Sequence, residues 1–572
     1  MSRLELKKPS FCSSGPLNAE MLSKSLSMLS EIMISSYGPS GRLKHVHNGR
    51  GGYVLTTSQS SALLKSISTT HPVLKVLIAA VVNHTSNFSD CGLFAAIMCC
   101  TLVRHFQRIN VATRTVISIT RHLLSSCTDY LNSKECACRL TVEFDSSKAL
   151  MCLAQTVLTS KPACMLTINE AEYVSTLIVR AFLLTVPNEP GINVVLGKGV
   201  IVPVEGQRVM ESAVLPGLLI EMPGFKLHRQ FSQNMFFGNG MKTALFSISL
   251  SGDISNTGET TLFVQSDVSP EAAVLEQLLC LGKQIVNDQV GLVLCQKVIH
   301  PSLKQYLNAN HVIAVERLGT AQMEPLTQMT GAQPIASLTH VSPACYGHLK
   351  SVRIESLASK QFLHFISDDT TICSILLCNR NGTALDELKR ACYTAQHILQ
   401  LTIKQPLALL GGGCTESHLA SYLRYKSACV PDSILQGLNC SRTDYQIVAE
   451  VFSQSLESVA RSLEHDGGEL LTDTCRGHLW SSPPGTPLDS NYPNSLVQCG
   501  CGLYKKHQAF SLTALGTRGS PFNPQDCSEE VQMNPKDQLV LDCFVAKVSG
   551  LQVAVETAAL ILDLAYVIED QN

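Results

Sequence analysis

Apolar positions recur at helical spacing across residues 72–103, where Leu74, Leu77, Ile78 and Val81 share one face, and the spacing predicts helices there. A second stripe, Leu385, Leu388, Ala391, Cys392, Ala395, Ile398 and Leu399, predicts a long amphipathic helix over 383–403. The stretch from Lys547 to Ile568 is apolar on most sides, which predicts a buried helix. From about 197 to 370 the pattern shortens. Runs such as Val200-Ile201-Val202 and Gly291-Leu292-Val293-Leu294 alternate with helical stretches and turns, as in an α/β module inserted between helical halves. Residues 473–535 lack periodicity. Ser481 to Pro487 is turn and linker chemistry, and Gly516 to Gln525 adds Gly and Pro, so a largely unstructured, flexible insertion is expected.

Composition narrows the class. A chain of 572 residues with 45% hydrophobic positions holds several buried cores. The balance of 44 basic and 46 acidic residues, with no long block of one sign, gives no reason to expect nucleic acid or an anionic membrane as partner. The start, Met1 to Lys8, lacks the apolar core of a signal peptide. The longest apolar run, Cys91 to Val103, is shorter than the ~20 residues of a membrane helix, so no membrane insertion is expected and the chain reads as cytosolic. None of the 23 cysteines forms Cys-x-x-Cys; the closest groupings are Cys99-Cys100, Cys136/Cys138 and Cys499/Cys501. Reduced buried thiols are therefore expected, and no metal site is assigned.

Three fragments carry candidate chemistry. The first is Ser36-Tyr37-Gly38-Pro39-Ser40-Gly41, the second the stretch from Asn83 to Leu93 with Asp90 its only carboxylate, the third Leu410-Gly411-Gly412-Gly413-Cys414-Thr415-Glu416. Glycine suits a phosphate site because a side chain would block close approach to backbone N–H groups. Together the fragments resemble the nucleotide pocket of the group II chaperonins, the family of the cytosolic chaperonin and the thermosome. The chain is more closely similar to the vertebrate Bardet–Biedl chaperonin-like proteins. Asn379-Arg380-Asn381-Gly382-Thr383 with Asp386-Glu387 is similar to the family's hinge segment. Cys295-Gln296-Lys297 and Met329-Thr330-Gly331-Ala332 resemble apical signatures, and Asp542 with Ala546-Lys547 resembles a C-terminal one.

The resemblance implies an α+β multidomain fold. A mainly helical equatorial domain would comprise 1–145 and 406–572, a small intermediate domain 146–196 and 371–405, and an α/β apical, substrate-facing domain 197–370. It also implies a nucleotide remnant at Gly38, Pro39, Gly41, Asp90, Gly411, Gly412, Gly413 and Asp542, with Asp90 the magnesium acid if ATP binds. Two bland alternatives stay open: Asp90 as an acid capping the next helix, and the triple glycine as a strand-to-helix turn. The family's Gly-Asp-Gly-Thr-Thr is Ser89-Asp90-Cys91-Gly92-Leu93 here, which removes both hydroxyls. Two family acids are Gln59 and Thr394. The implied state is no ATPase activity and no required cofactor, with ATP and magnesium a residual option. Gly197-Lys198 is a near miss to a phosphate loop, because Ile192 and Gly199 stand where glycine and a hydroxyl are needed.

His300 to Leu307 starts a helix that in the family grips clients, which makes Leu303, Lys304, Gln305, Tyr306 and Leu307 client-binding candidates; Leu303 and Leu307 could equally be core. Residues 222–285 correspond to the lid protrusion. The resemblance implies a folding and assembly factor for the BBSome, with BBSome subunits as clients. Sister chaperonin-like proteins and the cytosolic chaperonin would be partners, in the cytoplasm and at the centrosome or ciliary basal body. No closed homomeric ring is expected. The alternatives are an active ATP-dependent chaperonin subunit and a purely structural centrosomal interaction protein.

Overall fold

The computed structural model describes residues 11–12, 19–47, 54–187, 196–221, 240–252, 270–338, 341–357, 360–367, 371–482, 484, 499–504, 511–517, 522, 538–566 and 568–569. They fall into two compact units, Met1–Val179 with Thr383–Asn572, and Arg180–Gly382.

The first unit is built around the helix Gly92–Phe106, in which every residue from Gly92 to Val103 is buried. A helix apolar on all sides needs a complete shell. The helices Ala19–Ile34, Pro72–Phe88, Arg442–Arg461 and Phe544–Asp563 supply it. The expected helical stretch at 72–103 is thus two helices, broken where Ser89 turns into the left-handed region. The predicted 383–403 helix is Gly382–Lys404. The apolar C-terminal helix starts earlier than expected, at Phe544, and ends at Asp563. It is long and apolar enough to cross a membrane, but it is largely buried in this unit and carries Lys547 in the interior.

Small sheets present the loops of the unit. Leu407–Leu410 pairs antiparallel with Arg139–Thr141 on one side and Leu541–Cys543 on the other, and it leads into the triple-glycine turn. The hairpin Lys44–His47 with Val54–Thr57 leads into Ser58-Gln59-Ser60. Phe11–Cys12 pairs antiparallel with Ile568–Glu569 near the two chain ends.

The expectation of an unstructured stretch at 473–535 fails for its described part. Glu469–Asp473 pairs antiparallel with both Leu479–Ser482 and Leu512–Ala514. The Asp473 carboxylate accepts from the Arg476 and His478 backbone N–H groups and from Trp480 Nε1. Trp480, Cys499, Cys501, Tyr504, Leu515 and Phe522 are buried. Order here comes from a few large buried groups and one turn carboxylate, which leave no periodicity to read. The rest of 473–535 lies outside the described residues.

The second unit is α/β. Its largest sheet orders Ile313–Val315, Leu292–Cys295, Met241–Phe246 and Gly347–Leu349, parallel except for the last strand. The helices Pro270–Asn287 and Pro301–Ala309 pack on it through Leu278, Leu281, Ile285, Leu303 and Leu307. Two further three-stranded sheets flank this core. One orders Ser351–Leu357, Lys360–Ile366 and Leu218–Glu221, the other Lys198–Glu205, Ile372–Asn379 and Ala213–Pro216. Residues 222–239 and 253–269 of the expected lid at 222–285 lie outside the described residues.

One buried imidazole makes the first unit sensitive to acid. His418 stacks on Tyr130, accepts from its hydroxyl at 2.7 Å, and donates through Nδ1 to the Arg476 carbonyl. Burial pushes its pKa from 6.5 down to about 4. A depressed folded-state value means that the unfolded chain binds the proton more readily. The stability is therefore present above pH 6.5 and is lost as pH falls toward 4, by roughly 3 kcal/mol in full. Unfolding midpoints measured from pH 7 to pH 5 should drop in the wild type and drop less in His418→Phe; parallel profiles would contradict the assignment.

Candidate functional site

The three fragments do meet in the first unit. Gly38, Pro39, Asp90, Gly412, Gly413 and Asp542 line one cavity of about 110 Å³, together with Tyr37, Cys91, Gly92, Leu93, Phe94, Lys161 and Lys547. Gly41 and Gly411 do not line it. Gly41 closes a tight turn, donating to the Gly38 carbonyl at 3.1 Å, and a Cβ added there would press on the Ser36 backbone at 2.6 Å.

The loop before the Gly92–Phe106 helix keeps a glycine backbone without glycine. Ser89 and Cys91 have φ of 62° and 59°, the left-handed region that costs other residues about 1–2 kcal/mol each. Side chains hold the loop there. Ser89 Oγ lies 2.7 Å from His397 Nδ1, and His84 Nε2 donates to the Asp90 carbonyl at 3.0 Å. The Asp90 carboxylate does not cap the helix: the cap is Cys91, with no side-chain hydrogen bond, and Asp90 faces the Lys161 ammonium at 3.7 Å.

The cavity lining also carries a buried ion cluster. Lys547 donates to Glu416 and, at 2.9 Å, to Asp542, and its ammonium sits 4.2 Å from the centre of the Phe94 ring. Burial works to lower the Lys547 pKa, but the Asp542 and Glu416 charges win and hold it well above the usual lysine value. One oxygen of the cluster, Glu416 Oε2, is buried without a hydrogen bond among the described residues.

The triple glycine is filled by the chain itself. A Cβ at Gly412 would overlap the Gly500 carbonyl, one at Gly413 would lie 2.6 Å from Leu479, and one at Gly411 2.9 Å from Val540. Leu410 feeds this turn from its strand, and Thr415 Oγ1 donates back to the Leu410 carbonyl at 2.7 Å. The glycines here make room for protein backbone and side chains.

Gln59 and Thr394 are buried but line no part of the cavity. Gln59 Nε2 donates to the Glu387 carbonyl at 3.3 Å. The fully buried Glu387 carboxylate accepts from Thr57 Oγ1, Ser58 N and Ser58 Oγ at 2.8–2.9 Å. The hairpin end is thereby tied to the second turn of the Gly382–Lys404 helix. Lys161 was not singled out in the sequence, and Glu387, Glu416 and Lys547 stood in family-like segments without a role of their own. The signal available was a lone lysine near the start of an almost uncharged apolar helix.

In the second unit the candidates separate. Leu303 and Leu307 are fully buried, packed under the Pro270–Asn287 helix, where a Cβ at Gly282 would touch Leu303 at 2.8 Å. They are core and are withdrawn as client contacts. Gln305 is exposed, Tyr306 half-buried, and Lys304 pairs with Glu316 at 2.7 Å. Lys198 pairs with Glu324 at 2.6 Å on the surface, and Gly197 passes so close to the Thr371 carbonyl that a Cβ would overlap it, so the near-miss loop is a strand-entry turn.

A helical unit built from both ends of the chain, with a glycine-lined pocket and an α/β unit inserted between its halves, is the architecture of the chaperonin class. The chain belongs to the TCP-1/cpn60 chaperonin family, whose profile matches residues 29–572. It is 55% identical to the human "Molecular chaperone MKKS" over 572 residues, all of both chains, and 51% identical to the mouse protein of that name over the same span. More distant is the probable T-complex protein 1 subunit theta of Schizosaccharomyces pombe, 20% identical over 94% of this chain and 90% of its own. The thermosome subunit gamma of Saccharolobus shibatae is 22% identical over 77% of this chain and 79% of its own. A chaperonin-like function follows at that level of detail.

Removing the buried cation should be severe. Lys547→Met leaves Glu416 and Asp542 facing each other without a counter-ion, a loss of about 3–5 kcal/mol. Its first unfolding transition should fall sharply, and Glu416→Gln with Asp542→Asn in the same chain should recover much of the loss. An unchanged transition in the single variant would show that the ammonium is not the pocket's keystone.

Proposed function

We propose that this protein is a folding and assembly factor that uses a chaperonin body without an ATP cycle. The filled pocket carries the proposal. Its free volume of about 110 Å³ compares with the ~300–1,000 Å³ common for small-molecule sites. ATP with magnesium, the group the family implies, does not suit these residues. Asp90 is paired with Lys161, position 93 offers a leucine where a hydroxyl would meet phosphate, and Gly500 lies against Gly412. Gln59 and Thr394 stand where the resemblance implies acids. A positioned general base contributes ~10²–10⁴-fold, and neither an amide nor a hydroxyl accepts a proton from water as a carboxylate does.

The resemblance to the Bardet–Biedl chaperonin-like proteins supports the cellular side of the proposal. The clients are BBSome subunits, the partners are sister chaperonin-like proteins and the cytosolic chaperonin, and the site is the centrosome or basal body in ciliogenesis. Burial of Leu303 and Leu307 favours a second reading, a structural interaction protein with no apical grip. Crosslinking to BBSome subunits separates the two: contacts centred on 300–330 support a gripping surface, and contacts elsewhere support the second.

Steady-state phosphate release from purified protein should equal that of the buffer, and Asp90→Ala should not change it. Turnover above that background, abolished by Asp90→Ala, would return the protein to the active chaperonins. Ser58 and Gln59 are committed to Glu387 within the chain, and Asp563 with Ala565-Tyr566 departs from the family's terminal pattern. Weakening repeated around a ring multiplies, with ~1.4 kcal/mol a tenfold loss per interface. The mass in solution at micromolar concentration should accordingly show no closed homomeric ring; a dominant ring species would overturn this part of the proposal.

A further inference from the structure

Outside the pocket, the first unit gathers four metal-ligating side chains that no short motif announces. Cys414, His478, Cys499 and Cys501 place one sulfur or ring nitrogen each within 4.8 Å of all the others. All four are essentially inaccessible, between 0% and 1% exposed. They come from three segments: the first residue of the Cys414–Ala428 helix, the turn entering the Leu479–Ser482 strand, and a Cys-Gly-Cys turn in the folded part of the insertion.

The spacing of the atoms suits one small ion. Zn–S bonds near 2.3 Å and Zn–N bonds near 2.0–2.1 Å in a tetrahedron put ligand atoms roughly 3.5–3.8 Å apart. Cys499 Sγ and Cys501 Sγ are 3.3 Å apart, and Cys501 Sγ is 3.6 Å from His478 Nδ1. The histidine adds an independent observation. It is fully buried, yet among the described residues its two ring nitrogens face only sulfur, Nδ1 toward Cys501 and Nε2 toward Cys138 Sγ at 4.0 Å. Ligation through Nδ1 leaves the proton on Nε2, directed at the Cys138 sulfur as an outer-shell partner. The surroundings also suit thiolates. The Tyr504 N–H donates to Cys499 Sγ at 3.2 Å, the kind of backbone donor that stabilises sulfur charge. Cys499 N–H donates to the Tyr504 carbonyl and Gly502 N–H to the Cys499 carbonyl, which closes a tight turn with Gly502 at φ 78°.

We propose that Cys414, His478, Cys499 and Cys501 form a structural zinc site of the Cys₃His type. Zn²⁺ takes the three sulfurs and His478 Nδ1, and the three thiols release their protons to solvent on binding. Four protein ligands close the coordination shell, so the site is structural and has no open position for chemistry. Its consequence is mechanical. Gly500, between two ligands, lies against Gly412, two residues before the third, and donates to the Leu479 carbonyl at 2.8 Å. The Cys501 carbonyl accepts from Val540, whose own carbonyl accepts from Gly411. The ion therefore pins the insertion onto the triple-glycine turn. The proposal is independent of the missing ATP cycle, since a zinc clamp and a working or idle pocket are compatible.

The test is metal content of the full chain, purified reduced and without chelators, by inductively coupled plasma mass spectrometry. About one zinc per chain is expected. Cys499→Ser with Cys501→Ser should lose it, and Cys280→Ser, an exposed cysteine elsewhere, should keep it. Because the double variant could fail to fold, cobalt exchange into the wild-type chain gives a second reading: an intense visible spectrum of tetrahedral cobalt with sulfur-to-metal charge transfer is expected. A wild-type chain that binds neither zinc nor cobalt would overturn the proposal. So would a Cys499–Cys501 disulfide found by mass spectrometry in the native protein, or zinc retained in full by the double variant.

Discussion

The first unit depends on a buried lysine. Lys547 brings a charge into a region where Tyr37, Phe94 and the Gly92–Phe106 helix exclude water, and it is held there by two carboxylates from different elements. Glu416 comes from the helix after the triple glycine and Asp542 from the strand just before the lysine's own helix. Removing one partner from such a cluster costs far more than the intact cluster contributes, so it acts as a registration device. The strand, the glycine turn and the C-terminal helix meet in one arrangement because that arrangement gives both carboxylates the one ammonium as counter-ion.

The same space is where the family resemblance implies a nucleotide site. Here the chain occupies it from several sides. Leu93 and Phe94 enter from the central helix, Leu463 presses on Gly38 at a distance a Cβ would bring to 2.8 Å, and the Cys499-Gly500-Cys501 turn leans on Gly412. Glycines that read as phosphate contacts serve as landing places for other parts of the protein. The left-handed Ser89 and Cys91 fit this picture: the glycine backbone persists, while the side chains add anchors such as the Ser89–His397 hydrogen bond.

Much of the fold was legible because its helices are long and one-sided. The stripe from Leu385 to Leu399 and the fully apolar run around Ala95 map onto helices with few shifts, since periodicity reports burial over many residues. The glycine fragments and Asp90 also converge as read. What stayed hidden depends on contacts distant in sequence. Glu387 gathers Thr57 and Ser58 from more than three hundred residues away. Leu303 and Leu307 read equally as grip or core until the Pro270–Asn287 helix is seen above them. The insertion read as linker because its order rests on Asp473, Trp480 and a handful of cysteines, with no repeat. Cys414 and Cys499 are far apart in sequence, so no short motif could join them.

The central proposal is that this pocket, lined by Leu93, Phe94 and the Lys547 cluster, takes no nucleotide. The most direct test is the melting temperature of the purified chain with and without millimolar MgATP. A ligand present at one hundred times its Kd stabilises the folded state by about 2.7 kcal/mol, enough to move the transition visibly. The account predicts superimposable melting curves with MgATP, MgADP and buffer. A rise that saturates with MgATP and disappears in Asp90→Ala would contradict it.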